Sequence, residues 1–114
     1  MISRINEMKT EQREKMRDGN GIVTITHLFD KENMLGKSRM CAKLTMPKGA
    51  SIGVHDHVTE AEMYIIISGT ASVTENGKEY TLNAGEAMFT GNGDNHSIEN
   101  KCEEDLILYA VIFN

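Results

Sequence analysis

Four histidines are the residues of this 114-residue chain best suited to coordination chemistry, and two of them, His55 and His57, stand two positions apart. They fall in the run Ile52-Gly53-Val54-His55-Asp56-His57, which reads as a strand. Residues i and i+2 of a strand leave the same face, so both imidazoles project together. Glu62 opens the next strand after a four-residue connection, and a hairpin there sets its carboxylate opposite the imidazole pair. His96 follows the turn Gly91-Asn92-Gly93-Asp94 and begins a further strand. Three neutral imidazoles and one carboxylate suit a divalent transition ion: Mn, Fe, Co, Ni, Cu or Zn. Two histidines placed in an apolar interior cost roughly several kcal/mol unless something pairs them. His27 has no such company and reads as a partly exposed strand residue.

The elements that must position these groups show a period of two. Runs at 22–29, 39–46, 52–57, 62–68, 70–75, 78–82, 87–90, 96–99 and 106–113 alternate or are rich in Val, Ile and Thr. Turn chemistry separates them: Pro47-Lys48-Gly49, Ser68-Gly69, Asn76-Gly77 and Ala84-Gly85. Asn76-Gly77 is the strongest of these, because a type I′ turn needs positive φ at both central residues. Nine short strands, with no stretch between them long enough for a crossover helix, predict an all-β fold. The expected architecture is a single-domain antiparallel β-barrel or jelly roll at 21–114. Residues 1–20 are polar, with Ile2, Ile5 and Met8 three apart, and read as an arm or short helix ended by Asp18-Gly19-Asn20-Gly21.

Composition narrows the functions. The chain carries 12 Lys+Arg against 17 Asp+Glu, a net charge of −5. It therefore lacks the clustered positive charge that nucleic acid or an anionic membrane calls for. Its longest apolar run, at 106–113, is far too short for a membrane span. Cys41 and Cys102 have no paired spacing and read as reduced thiols, and no signal peptide opens the chain, so a soluble cytoplasmic protein is expected.

The spacing Gly49-x5-His55-x-His57-x4-Glu62-x6-Gly69 resembles the first motif of the cupin superfamily, with every marker position filled. Gly85-x5-Gly91-x-Gly93-x2-His96-x3-Asn100 is similar to the second motif, with Gly91 where the family usually has proline. The resemblance extends over nearly everything but the arm. It implies a small single-domain cupin in which His55, His57, Glu62 and His96 hold one divalent metal ion (Mn, Fe, Ni, Cu or Zn). Gly91 would loosen the turn before His96, and Asn100 would cap its loop through side-chain hydrogen bonds.

Parity assigns the cavity wall. Tyr64 and Ile66 share the side of Glu62, and Ile98 that of His96. The resemblance adds Met40, Ala42 and Leu44 from the strand before the first motif, with Leu108, Ala110 and Ile112 from the last strand. Candidate substrate contacts are Tyr64, Ile98, Ala42 and Ala110, in a narrow apolar pocket whose polar handle is Tyr64. A single bulge would reverse this parity. Arg39 and Lys43 alternate away from Ala42 and are expected in solvent, so no cationic clamp is expected inside. Glu60 reads as a solvated turn residue, a general base only if its turn folds inward.

Two functional classes follow. The first is a metal-dependent enzyme on a small oxygenated substrate: a dioxygenase, decarboxylase, lyase, or sugar or keto-acid isomerase. The second is a non-catalytic module that binds or senses a small molecule. The full ligand set favours the first; the lack of an evident acid–base residue weighs against it. The expected assembly is a homodimer, with the arm packed across the partner's barrel.

Overall fold

The computed structural model describes residues 1–114. Ten strands fold in chain order: β1 Lys9–Glu14, β2 Ile22–Phe29, β3 Ser38–Met46, β4 Ser51–Asp56, β5 Ala61–Ser68, β6 Thr70–Glu75, β7 Lys78–Asn83, β8 Ala87–Thr90, β9 Asn95–Glu99 and β10 Leu106–Phe113. They form two antiparallel sheets, ordered β1-β2-β3-β10-β5-β8 and β4-β9-β6-β7. The nine expected strands occur within a residue or so of their predicted bounds, and the architecture is the expected jelly roll. Pairing of strands distant in sequence, such as β3 with β10, is what lets consecutive hairpins close into two facing layers.

Alternation fixes which side chains meet between the layers. On β3, Met40, Ala42, Leu44 and Met46 are buried; on β10, Leu106, Leu108, Ala110 and Ile112 are buried. Across the gap β4 contributes Ile52, β6 contributes Ala71 and Val73, and β9 contributes Ile98. A one-residue slip in any of these ladders would turn its apolar set out to water, so burial holds the register. Between β6 and β7, Asn76 (φ 49°) and Gly77 (φ 83°) make the tight turn that their sequence predicts.

The arm departs from expectation. It holds 3₁₀ turns at Ile5–Glu7 and Met16–Asp18, and between them β1 pairs with β2 of its own chain, from Lys9↔His27 to Glu14↔Ile22. All six residues of β1 are exposed, so the strand shows no apolar alternation and period-two reading passes over it. The Met16–Asp18 turn then docks on β4. Asn20 N–H donates to Ser51 Oγ at 2.8 Å, and Ser51 N–H donates to the Asn20 carbonyl at 2.8 Å.

β4 is irregular where the arm touches it. Ile52 pairs with Ile98 but His55 pairs with His96, so one extra residue is accommodated between them. That bulge turns the strand, which lets Ile52 and His55 face the same interior despite their opposite parity. Gly53 lies in the bulge, and a Cβ there would stand 2.0 Å from the Arg17 carbonyl oxygen. Only a residue without a side chain admits that approach.

Candidate metal centre

The four donors of interest come from both layers: His55 at the end of β4, His57 just past it, His96 on β9, and Glu62 on β5 of the other sheet. The expected β4–β5 hairpin therefore does not form, and Glu62 meets the imidazoles across the gap between the sheets. Their ligand atoms lie within 4.8 Å of one another. Glu62 Oε1 is 3.1 Å from His57 Nε2, 3.1 Å from His96 Nε2 and 3.7 Å from His55 Nε2. His96 Nε2 is in turn 2.9 Å from His55 Nε2 and 3.1 Å from His57 Nε2. Ligands bound side by side at about 2.1 Å from one ion stand about 3 Å apart, so this spacing fits a single cation.

The surroundings fit one too. His55 Nδ1 lies 2.8 Å from the Gly53 carbonyl; donating its proton there leaves Nε2 with a bare lone pair aimed at the cluster. His57, Glu62 and His96 are almost wholly buried, at 2%, 4% and 0% exposure. A proton can serve one pair of these crowded donors, whereas a cation serves all four. The Tyr64 ring stacks on His96 with centroids 4.8 Å apart and planes within 4°, which fixes that imidazole's tilt. His57 Nδ1 and His96 Nδ1 are buried without hydrogen bonds, although Glu60 Oε1 stands 3.6 Å from His57 Nδ1.

Charge follows the same arrangement. Burial raises the Glu62 carboxyl, but the His55, His96 and His57 imidazoles beside it lower it further, to about 2, so it is an anion at neutral pH. Burial, ahead of the opposing pull of Glu62, lowers the His57 imidazole and keeps it available as a neutral donor. Burial and the neighbouring Glu62 charge push the Tyr64 phenol well above its ordinary value, with Arg17 acting in the opposite direction.

A cavity of about 100 Å³ opens over this cluster. Of the expected contacts, Tyr64 lines it, as do Met40, Leu44 and Ile112. Ala42, Ala110 and Ile98 are fully buried core residues outside its lining, and the longer Met40 and Leu44 side chains that flank Ala42 on the same face line it instead. The rim corrects the expectation of a wall without cations: Arg13, Arg17 and Arg39 line it, beside His27. Arg39 does not extend into solvent alone. Its Nε and Nη2 donate to the two Glu60 oxygens at 2.7 and 2.6 Å. The turn carrying Glu60 therefore folds inward, and that hydrogen bonding holds the Glu60 carboxyl below its usual range. His27 is partly exposed as expected, yet its neighbours Val23 and Ile25 are core residues, so it faces the cavity and not the outer surface.

Two motif residues have a clear local role. Asn100 is fully buried and donates to the Met46 and Glu104 carbonyls at 2.9 and 2.8 Å, while its Oδ1 accepts from Cys102 N–H. A Cβ on Gly91 would lie 2.9 Å from the Ala61 Cβ, so packing against β5 accounts for glycine there.

Residues 42–112 match the family model described as Cupin domain. The chain belongs to the cupin family. This cupin is 41% identical over 112 residues to a Thermotoga maritima protein named oxalate-binding protein, covering 98% of this chain and 93% of that one. A Thermotoga maritima crystal structure described as a predicted oxalate decarboxylase, also 41% identical, superposes with a TM-score of 0.94 over 99% of this chain and 98% of the other. At 21% identity, a putative sugar phosphate isomerase from Acidithiobacillus ferrooxidans shares the fold, with a TM-score of 0.82 over 96% of this chain and 70% of that one. No helix of this cupin is long and apolar enough to cross a membrane.

Proposed function

We propose that this cupin holds one divalent transition ion through His55, His57, Glu62 and His96, and binds a small dicarboxylate of the oxalate type upon it. The observation that carries the reading is the cavity. Its volume of about 100 Å³ is well below the roughly 300 Å³ at which drug-sized sites begin, and it has His55, His57 and Glu62 at the floor, with His96 behind them, and arginines at the rim. That space takes a few heavy atoms and is too small for a sugar. The name of the 41% identical Thermotoga relative supports the same ligand class. A divalent ion bound there supplies Lewis acidity to a ligand carboxylate. The chain's own residues supply size selection through Met40, Leu44 and Ile112, and counter-charge at the rim.

Binding without turnover is the reading the cavity favours. Releasing carbon dioxide from oxalate and leaving formate requires a proton at the new C–H bond. Here the Tyr64 phenol is held well above its ordinary value, and Glu60 is an anion engaged by Arg39. Decarboxylation is the second reading, favoured by the description of the similar Thermotoga structure. Calorimetry with Mn(II)-loaded protein and sodium oxalate tests both. Saturable binding with oxalate recovered intact is expected; formate and carbon dioxide would carry the second reading; no heat above that of the metal-free protein would overturn the first.

The same proposal includes a homodimer in the cytoplasm. The outer face of β5, β8 and β10 presents Met63, Ile65, Phe89, Tyr109, Val111 and Phe113, with Phe89 58% exposed, an apolar surface suited to a second copy. Cys41 and Cys102 are free thiols, which suits a reducing compartment. Light scattering is expected to give a dimer for the native chain and a monomer for Phe89→Glu; a monomeric native chain would overturn the assembly.

A further inference from the structure

The rim of the cavity contains three arginines, and their surroundings differ. Arg13 is engaged by Glu11, with Nη2 2.9 Å and Nε 3.1 Å from the same carboxylate oxygen. Arg39 is engaged by Glu60. Arg17 lines the same cavity but takes part in no ion pair or side-chain hydrogen bond, so its guanidinium retains an unneutralised charge and a free donor fork.

The backbone that presents Arg17 is built at a cost. Lys15, Arg17 and Asp18 have φ of 53°, 54° and 63°, a left-handed conformation that non-glycine residues rarely adopt. The turn is over-determined by its contacts. The Arg17 carbonyl sits against Gly53, Gly19 is packed so closely on Ser51 that a Cβ would meet its carbonyl oxygen at 2.2 Å, and Met16 packs on the core. Gly53 is also the residue whose carbonyl accepts from His55 Nδ1. One bulge therefore seats the arm and orients a donor of the cluster, fixing the arginine relative to the floor.

From this arrangement we infer that Arg17 is the specificity-determining residue of the cavity. It takes the carboxylate of a small dicarboxylate that faces the rim, while the cluster takes the other. This rests on the oxalate-type reading proposed above. A monocarboxylate reaches the cluster but leaves Arg17 without a partner, so the residue discriminates by the second charge. Arg13 and Arg39 already spend their charge on Glu11 and Glu60 and contribute mainly to the wall.

Calorimetry on Mn(II)-loaded full-length protein tests this with sodium oxalate and sodium acetate as probes. Arg17→Ala is expected to weaken oxalate by about tenfold or more, the size of a lost charge-assisted hydrogen bond, and to leave acetate unchanged. Arg17→Lys recovers part of the loss, since it restores charge without the fork. Manganese content measured by elemental analysis stays equal in all forms, which separates lost discrimination from a lost ion. The exposed Lys101→Ala serves as a charge control and binds oxalate like the native protein. Native protein that binds oxalate while Arg17→Ala binds it equally well would overturn the role of Arg17 alone. Equal weakening of oxalate and acetate in Arg17→Ala would also overturn it. Native protein that fails to bind oxalate would overturn both this inference and the reading beneath it.

Discussion

The floor and the rim of the cavity are built by different means. The floor rests on ladder pairing: His55 faces His96 across β4 and β9, and Glu62 sits in β5, held by β8 and β10. His55, His96 and Glu62 are each placed to within one rung. His57, just past β4, is held by its N–H donating to the Asp94 carbonyl and its carbonyl accepting from Gly93 N–H, so backbone hydrogen bonds resist any shift. The rim is assembled from the 3₁₀ turn, β1, β2 and β3, and is fixed by one close backbone approach at Gly53 and by the Glu11 and Glu60 ion pairs. A floor set by register and a rim set by docking can change independently. The fold can thus keep its donor set while altering what enters above it.

Removing a floor donor is expected to have the largest effect. His96→Ala takes away a fully buried imidazole and the stacking partner of Tyr64. Metal affinity should fall more than about a hundredfold, beyond the range of an outer-sphere change. Metal titration and elemental analysis measure this, and near-native occupancy would disprove the ligand assignment. Gly53→Ala attacks the joint between floor and rim. Its Cβ would overlap the Arg17 carbonyl, which is backbone and cannot swing aside, so a loss of about 2 kcal/mol is expected in urea unfolding. Oxalate affinity should fall in the same variant as the arm lifts.

Glu60→Gln sharpens the comparison, because Glu60 bridges Arg39 of the rim and His57 of the floor. A metal affinity lowered by about tenfold is expected from loss of the carboxylate beside a ligating imidazole. Its pH signature has a definite sign. Hydrogen bonding to Arg39 lowers the folded-state pKa of Glu60 below its ordinary 4.5, so its contribution to stability is complete above that value. That contribution is lost as pH falls through the lowered folded value. Thermal melts of metal-free protein from pH 6 downward should therefore show a shallower acid loss in Glu60→Gln than in the native chain. The smallest effect belongs to Gly77→Ala in the β6–β7 turn, where an added Cβ meets nothing within 4 Å: about 1 kcal/mol of stability from a left-handed turn position, with metal and oxalate binding unchanged.

The parts that the sequence reveals share a property: each is decided by neighbours along a strand. The alternation of Met40, Ala42, Leu44 and Met46, or of Glu62, Tyr64 and Ile66, dictates an inner face because burying the other set would strand polar groups. The His-x-His pair is legible for the same reason, while Glu62 reaches it across the gap between the two facing sheets and not through a β4–β5 hairpin. β1 is not legible, because its six exposed residues carry no apolar alternation and its pairing depends on β2 being present. The position of Arg39 is not legible either, because the inward fold of the Glu60 turn depends on the packing around it.

The chain's order of residues thus determined an all-β sandwich and its core faces, since hydrophobic periodicity and turn chemistry act over a few residues, and its motif spacing named the four donors. Only the tertiary structure decided the bulge at Gly53, the seating of the arm and the free charge of Arg17 over the cavity. Those depend on contacts between segments more than thirty residues apart, where backbone approach and the competition for carboxylate partners cannot be read from any local pattern.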